Sequence, residues 1–169
     1  INTYTSVSAI AGTTITVGSS AGFSSGDKVL IIQMQGATIN EGNSSAFGDI
    51  SSIGDAGNYE FATICSIPNA TQIEVNSIQR TYSTTGVIQV ISVPVYDDAT
   101  VTAALGAAPW DGTVGGVLAF ECLGTLTLNA EINVTGLGFR GGGITTSSYS
   151  CSAFSLSLIH ISEPTRQLQ

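Results

Sequence analysis

Charge is scarce in this chain. Of its 169 residues only 9% are Asp, Glu, Lys or Arg, against roughly a quarter in an average soluble domain. Lys and Arg together number 4 and Asp and Glu 12, a net charge of -8. Nucleic-acid binding draws its affinity from Lys and Arg that neutralise phosphates, so this balance speaks against a nucleic-acid partner. Histidine is nearly missing as well. The single one, His160, stands close to the C-terminal end. Residues 1–155 therefore offer no imidazole, which excludes Ser-His-Asp and Cys-His nucleophiles and His-based zinc sites from that stretch. The 3 cysteines, Cys65, Cys122 and Cys151, have no paired metal-ligand spacing. No apolar run approaches the roughly 20 residues of a membrane-spanning helix. Long Lys/Glu/Leu/Ala helical patterns are absent too.

What remains is 43% hydrophobic and rich in Gly, Ser, Thr, Asn, Ile and Val. Such a composition predicts an all-β protein with many turns. The length allows one or two small domains, each with a real core. The stretch from Gly22 to Gln35 organises the rest. Gly26-Asp27 marks a tight turn, because Gly accepts backbone angles that other residues avoid. Val29 to Met34 is a short apolar run rich in β-branched residues, and it reads as a strand buried on both faces. Leu30 and Ile32 should share one face, Val29 and Ile31 the other.

Two strands are expected between Tyr4 and Val17, broken at Ala11-Gly12. The second, Thr13 to Val17, alternates polar and apolar residues. Gly36 to Asn58 is a long polar, Gly-rich connection, of a length expected to be functional or to carry a short helix. Tyr59 to Ser66 and Gln72 to Ile78 read as strands joined through Pro68-Asn69-Ala70-Thr71. Val87 to Val95 reads as another. After Asp97-Asp98 and Pro109-Trp110-Asp111-Gly112 the pattern becomes repetitive: Gly116 to Cys122, Gly124 to Asn129, Glu131 to Thr135, Gly136 to Gly143. Short alternating segments between Gly and Asn turns suggest a coil of parallel β-solenoid, with a sandwich or second barrel as the rival. The expected organisation is thus a β-barrel or sandwich over 1–96 and the start of a β-solenoid over 97–154.

Residues 155–169 stand apart. Every residue from Leu156 to Arg166 matches the in-frame translation of a transposon-type DNA sequencing adapter. This resemblance marks the tail as artefactual and the natural reading frame as truncated near Phe154 or Ser155. His160 falls within it. With no signal peptide visible at Ile1, the chain is expected to begin after cleavage or to be a fragment.

The runs Gly12 to Val17, Ala21 to Ala37, Ala56 to Phe61 and Gly136 to Gly142 together resemble the N-terminal region of large secreted surface proteins of Bacteroidota. Many of these look like adhesins or gliding-associated proteins and end in a type IX secretion sorting domain. The resemblance implies a secreted, cell-surface location. It also implies a structural or adhesive role without catalysis, with polysaccharide or other cell-surface molecules as partners. The alternative is the non-catalytic start of a β-solenoid polysaccharide lyase or hydrolase.

Candidate chemical groups are few. Asp49, Asp55, Asn58 and Glu60 cluster in and after the long connection. Calcium prefers such oxygen ligands, although the spacing is not that of an EF-hand. Solvated loop residues are the plainer reading, and no other cofactor is indicated. Glycosidases use two facing carboxylates, for which Glu121 and Glu131 are the loosest of candidates, since a charge on an apolar strand usually points to water. Trp110 and the tyrosines could stack on sugar rings, but beside Pro109 and Asp111-Gly112 Trp110 is expected to pack between the two parts. Cys65 and Cys122 should behave as small buried hydrophobes, with a disulfide between some pair of Cys65, Cys122 and Cys151 as the alternative that export would permit. Gly138 to Gly143 lacks the strand-turn-helix setting of a phosphate cradle.

Overall fold

The computed structural model describes residues 1–42 and 44–139. Cys151, the adapter-like tail and the last glycines of the Gly136 to Gly143 run lie outside the described residues. Twelve strands follow in order: β1 (Tyr4–Ala11), β2 (Thr14–Val17), β3 (Lys28–Gln33), β4 (Thr38–Ile39), β5 (Ile50–Ser52), β6 (Tyr59–Asn69), β7 (Gln72–Val75), β8 (Ile88–Ser92), β9 (Val95–Tyr96), β10 (Ala99–Val101), β11 (Glu121–Cys122) and β12 (Leu126–Leu128). Among the described residues there is no helix. The chain is all-β.

Six of the strands close into a barrel in the order β1-β2-β7-β6-β3-β8, with β8 pairing back onto β1. Every pair in it is antiparallel. A barrel, not a sandwich, is therefore the architecture of the first part. Closure leaves no unpaired barrel edge. The alternation in the sequence explains the interior. In β2 (Thr-Ile-Thr-Val) and β7 (Gln-Ile-Glu-Val), Ile15, Val17, Ile73 and Val75 are buried while the polar residues between them are half-exposed. Val29, Ile31, Ala62, Ile64, Ile88 and Val90 join them in one core, and Phe23 adds to it.

β3 is the strand covered on both faces. Val29 and Ile31 point into the barrel. Leu30 points out and packs with Ile91, Val93, Tyr4, Val117 and Ala119, with Ile32 half-buried at the margin of the same cluster. Its start is set by the turn at Gly26, where φ is 92° and only glycine rests without strain. The Asp27 side chain accepts from Ser24 N–H at 2.8 Å and locks that turn.

Several elements differ from the sequence expectation. β7 ends at Val75, three residues short of Ile78, and the strand expected over Val87 to Val95 is β8, Ile88–Ser92, with Val95 starting β9. β6 runs on to Asn69, three residues past Ser66, and takes in Pro68. Its pairing with β7 slips between Ile64 and Ser66 and again between Ser66 and Asn69. A proline has no N–H to give a ladder, and bulges are where a strand tolerates one. Among its described residues the long connection carries no helix. Residues Ala37–Gly54 form part of a separate unit, in which β4 pairs antiparallel with β5. Glycine and serine lower helix propensity, and the chain turns here through backbone bonds such as Phe47 N–H to Ser44 O at 3.1 Å.

The first unit continues past the barrel from Val95 onward. There β9 pairs parallel with β11, and β10 with β12. A parallel bridge joins Leu105 to Ile132, and Trp110 N–H donates to Leu137 O at 2.8 Å. The segment between the paired stretches, Gly115 to Phe120, crosses the outer face of the barrel.

Candidate functional site

Along β6 the inward residues are Ala62 and Ile64, so Tyr59, Phe61, Thr63 and Cys65 face outward. The neighbouring outward residues of β3 come from the register, in which Ile32 faces Tyr59 and Leu30 faces Phe61. Val117 and Ala119 cover the Leu30 side of this surface, and cover ends at the aromatic pair. Tyr59 is 54% and Phe61 52% exposed. Their rings meet edge to face, with centroids 6.4 Å apart and an interplanar angle of 84°. Lys28 Nζ lies 5.2 Å from the Phe61 centroid and 2.6 Å from Glu121 Oε2. An exposed aromatic ledge is thus rimmed by a hydroxyl, an ammonium and a carboxylate. Aromatic rings of this kind stack on the C–H faces of sugars while polar neighbours bond to hydroxyl groups. The ion pair is about one-third exposed on each side, so it orients side chains more than it stabilises the fold.

Sequence reasoning did not single out this pair. The i, i+2 spacing of Tyr59 and Phe61 in a strand was the available signal. It shows that the two share a face, not which face is left bare.

The calcium candidates are placed differently. Asp49 lies in the unit of β4 and β5. Asp55, Asn58 and Glu60 lie together against the loop that follows β7. Glu60 accepts from the backbone N–H of Gln79 at 2.9 Å and of Arg80 at 3.1 Å. Asn58 Nδ2 donates to Thr81 O at 2.9 Å, and Thr81 Oγ1 donates to Asp55 Oδ1 at 3.1 Å. Gln33, fully buried in β3, accepts from Ser83 N–H at 2.8 Å and donates to Gln35 O at 2.7 Å. These side chains fasten the loop 79–83. Tyr82 belongs to the same group: burial pushes its hydroxyl pKa far up, and the Glu60 carboxylate adds to the rise. It stays neutral through the physiological range. Among the described residues, no group of three or more His, Cys, Asp or Glu side chains is arranged to hold a metal ion.

Of the carboxylates weighed for glycoside chemistry, Glu121 is held by Lys28, and Glu131 is exposed. Trp110 keeps 7% of its surface exposed and lies 5.8 Å from the Phe139 ring, centroid to centroid. Sugar stacking on it would require uncovering. Beside it Asp111 accepts from the N–H groups of Thr113 and Val114, both at 2.8 Å. Those two bonds hold its carboxyl below the ordinary value. Cys65 corrects the sequence expectation of burial. It is exposed, because it follows inward Ile64 and so points out of the barrel. Cys122 is half-buried, and the two are not joined to each other.

The outer barrel face also receives Gly115 to Phe120. Gln89, fully buried, donates to Gly115 O at 3.0 Å and accepts from Gly115 N–H at 2.8 Å. A side-chain amide here does the work of a paired strand residue. Gly115 has φ 95°, and a Cβ on it would stand 2.5 Å from Pro109 O. Tyr4 Oη donates to Val117 O at 2.6 Å, and Asn2 Nδ2 donates to Ala119 O.

No family model matches the chain. No curated protein matches it either. Among solved structures it is similar to the Gp54 tailspike of Acinetobacter baumannii bacteriophage AP22, in complex with A. baumannii capsular saccharide, with a TM-score of 0.38 and 13% identity. The match covers 76% of this chain and 23% of the tailspike chain. A likeness at this level says nothing of what this chain binds.

Proposed function

We propose that this chain is a non-catalytic structural or adhesive module of a large secreted cell-surface protein. In this reading the barrel anchors the first coils of a parallel β-solenoid, and the Tyr59–Phe61 ledge is the face open to polysaccharide. One observation carries its non-catalytic half: Gln89, Glu60 and Asp111 are bonded to the chain's own backbone, and Glu121 is paired with Lys28. Gln89 holds Gly115 at both its N–H and its carbonyl. Glu60 holds two loop amides, and Asp111 two turn amides. Groups engaged in this way fix structure and are not poised to transfer protons.

A panel of bacterial and plant polysaccharides tests both halves. Incubation should yield no cleavage products. Retention on one or more immobilised polysaccharides should fall at least several-fold in Tyr59→Ala and Phe61→Ala, whose far-UV spectra should stay unchanged. Turnover that disappears in Glu121→Gln or Glu131→Gln would replace the reading with an enzymatic one.

The rival role is the non-catalytic start of a polysaccharide lyase or hydrolase built on a solenoid. The parallel pairing of the 95–105 stretch with the 121–132 stretch favours a solenoid under either role. The full sequence of the gene that encodes this chain separates them. Repeated adhesive modules and a sorting domain support the first, and clustered carboxylates or histidines on further coils support the second.

A further inference from the structure

A cleft of about 410 Å³ opens beside the start of β3. Thr3, Asp27, Lys28 and Ser92 line it together with Pro94 and Val95. Its size lies within the range of about 300–1,000 Å³ that small-ligand sites occupy. Three segments shape it, and each is held by bonds of its own. Asp27 locks the turn before β3 by accepting from Ser24 N–H at 2.8 Å. The segment before β1 is pinned to the end of β8: Thr3 N–H donates to Ser92 Oγ at 2.7 Å, and Ser92 N–H donates to Thr3 O at 2.9 Å. Val93 N–H donates to Lys28 O at 2.8 Å and ties the end of β8 to the start of β3. The walls are thus preformed, and a ligand need not order them on arrival.

Lys28 belongs both to this cleft and to the aromatic ledge. Its Nζ lies 5.2 Å from the Phe61 centroid. In the register of β3 with β6, Lys28 faces Thr63 and Leu30 faces Phe61. Lys28 and the ledge are therefore two strand positions apart, about 7 Å. The contact of Lys28 Nζ with Glu121 Oε2 at 2.6 Å uses one of the three donors of an ammonium and one of about four acceptor sites of a carboxylate. A donor and an acceptor side by side match the hydroxyl groups on adjacent carbons of a sugar, because each hydroxyl both donates and accepts. Charge narrows the class further. Asp27, Glu121 and Lys28 set two carboxylates against one ammonium, and the chain carries a net charge of -8. A uronate or sulfate group would meet like charge here.

We infer that this cleft is a second subsite for an uncharged, linear oligosaccharide. One ring of that saccharide stacks on the Tyr59–Phe61 ledge, and the rings that follow run past Lys28 into the cleft. The inference rests on the ledge reading of the proposed function. It adds the direction in which the saccharide lies and the class it belongs to.

Calorimetric titration of the full chain tests it. The probes are maltohexaose, cellohexaose and xylohexaose, each beside its disaccharide, with hexagalacturonate as the acidic counterpart. At least one neutral hexasaccharide should bind about tenfold or more tighter than its disaccharide, since the subsite adds hydrogen bonds to charged groups. The same hexasaccharide should bind about tenfold or more tighter than hexagalacturonate. Val95→Trp fills the cleft from an exposed position, and Lys28→Met keeps the stem but removes the donors. Each should bring the hexasaccharide down to the affinity of the disaccharide, with the far-UV spectrum of the parent. Equal affinity for the two lengths overturns the inference, and so does a preference for hexagalacturonate. Hexasaccharide binding that ignores both cleft variants but falls in Tyr59→Ala and Phe61→Ala overturns the cleft and leaves the ledge. Binding that survives Tyr59→Ala and Phe61→Ala but falls in Val95→Trp overturns the ledge and supports the cleft. No binding by any of the probes overturns both.

Discussion

Ile31 and Lys28 stand three positions apart in the same strand and should respond very differently to truncation. Ile31 is 0% exposed in the barrel interior, so Ile31→Ala loses burial energy and leaves a cavity, at a cost of about 2–5 kcal/mol. Ile32 is half-buried on the outer face. Its truncation should cost less than that of Ile31, since part of its surface is already in water. Lys28→Ala removes one member of a solvent-exposed ion pair and should cost under about 1 kcal/mol. Urea titration of the three variants gives the ranking. A neutral Ile31→Ala would show that the barrel interior is not packed around it. Asp111 offers a pH test. Its folded-state carboxyl titrates below the ordinary value because two amides donate to it. Its support of the turn is therefore fully present above the unfolded carboxylate pKa and is lost as pH falls through the lower folded value. Exchange of the Thr113 and Val114 amides, relative to unstructured peptide, should rise across that acid range. In Asp111→Asn the acid dependence should vanish.

At the scale of elements, loop 79–83 depends on side chains from β3, β6 and the turn before β6. Glu60→Ala should leave the N–H groups of Gln79 and Arg80 without acceptors. Faster exchange localised to those two amides, with the core of β3 and β8 still protected, is the expected outcome. Loss of protection across the whole barrel would mean that the loop closes the fold and does not merely cover it. Much at this scale was legible beforehand. The polar/apolar alternation of Thr14 to Val17 and the apolar block after Gly26-Asp27 predict β2 and β3 nearly to the residue. The end of β6 was not legible, because proline ordinarily stops a strand and only the bulged pairing with β7 admits Pro68. Nor was the pair β4 and β5, whose two short strands carry too few residues to set a period.

For the whole molecule, the link between the barrel and the parallel-paired stretches that follow it is the feature to probe. Gln89→Leu removes both bonds to Gly115 and leaves a buried amide and carbonyl unpaired, at a cost of about 1–3 kcal/mol for each group. The chain holds 1 tryptophan, Trp110, which reports on the part after the barrel, while far-UV circular dichroism reports mainly on the barrel. In the parent chain the two signals should unfold together. In Gln89→Leu the fluorescence transition should move to lower urea than the dichroism transition. Coincident transitions in that variant would show that Gln89 does not couple the two parts.

The sequence alone determined the class and the local periods. Few charges, many β-branched residues and frequent turn formers left little but strands, and alternation of side chains assigned the two faces of β3. Those are near-neighbour properties, written in residues a few positions apart. Tertiary structure decided what depends on distant pairs. It closed β8 onto β1 and made a barrel. It covered Leu30 with Val117 while leaving Tyr59 and Phe61 bare, and it turned Asp55, Asn58 and Glu60 toward a loop that begins some twenty residues later. It also paired Gln89 with Gly115, 26 positions away. A fully buried glutamine in a hydrophobic strand reads as a misplaced polar residue until its partner is known. The reason is physical: a period says which residues share a face, whereas only closure of the chain says what stands against it.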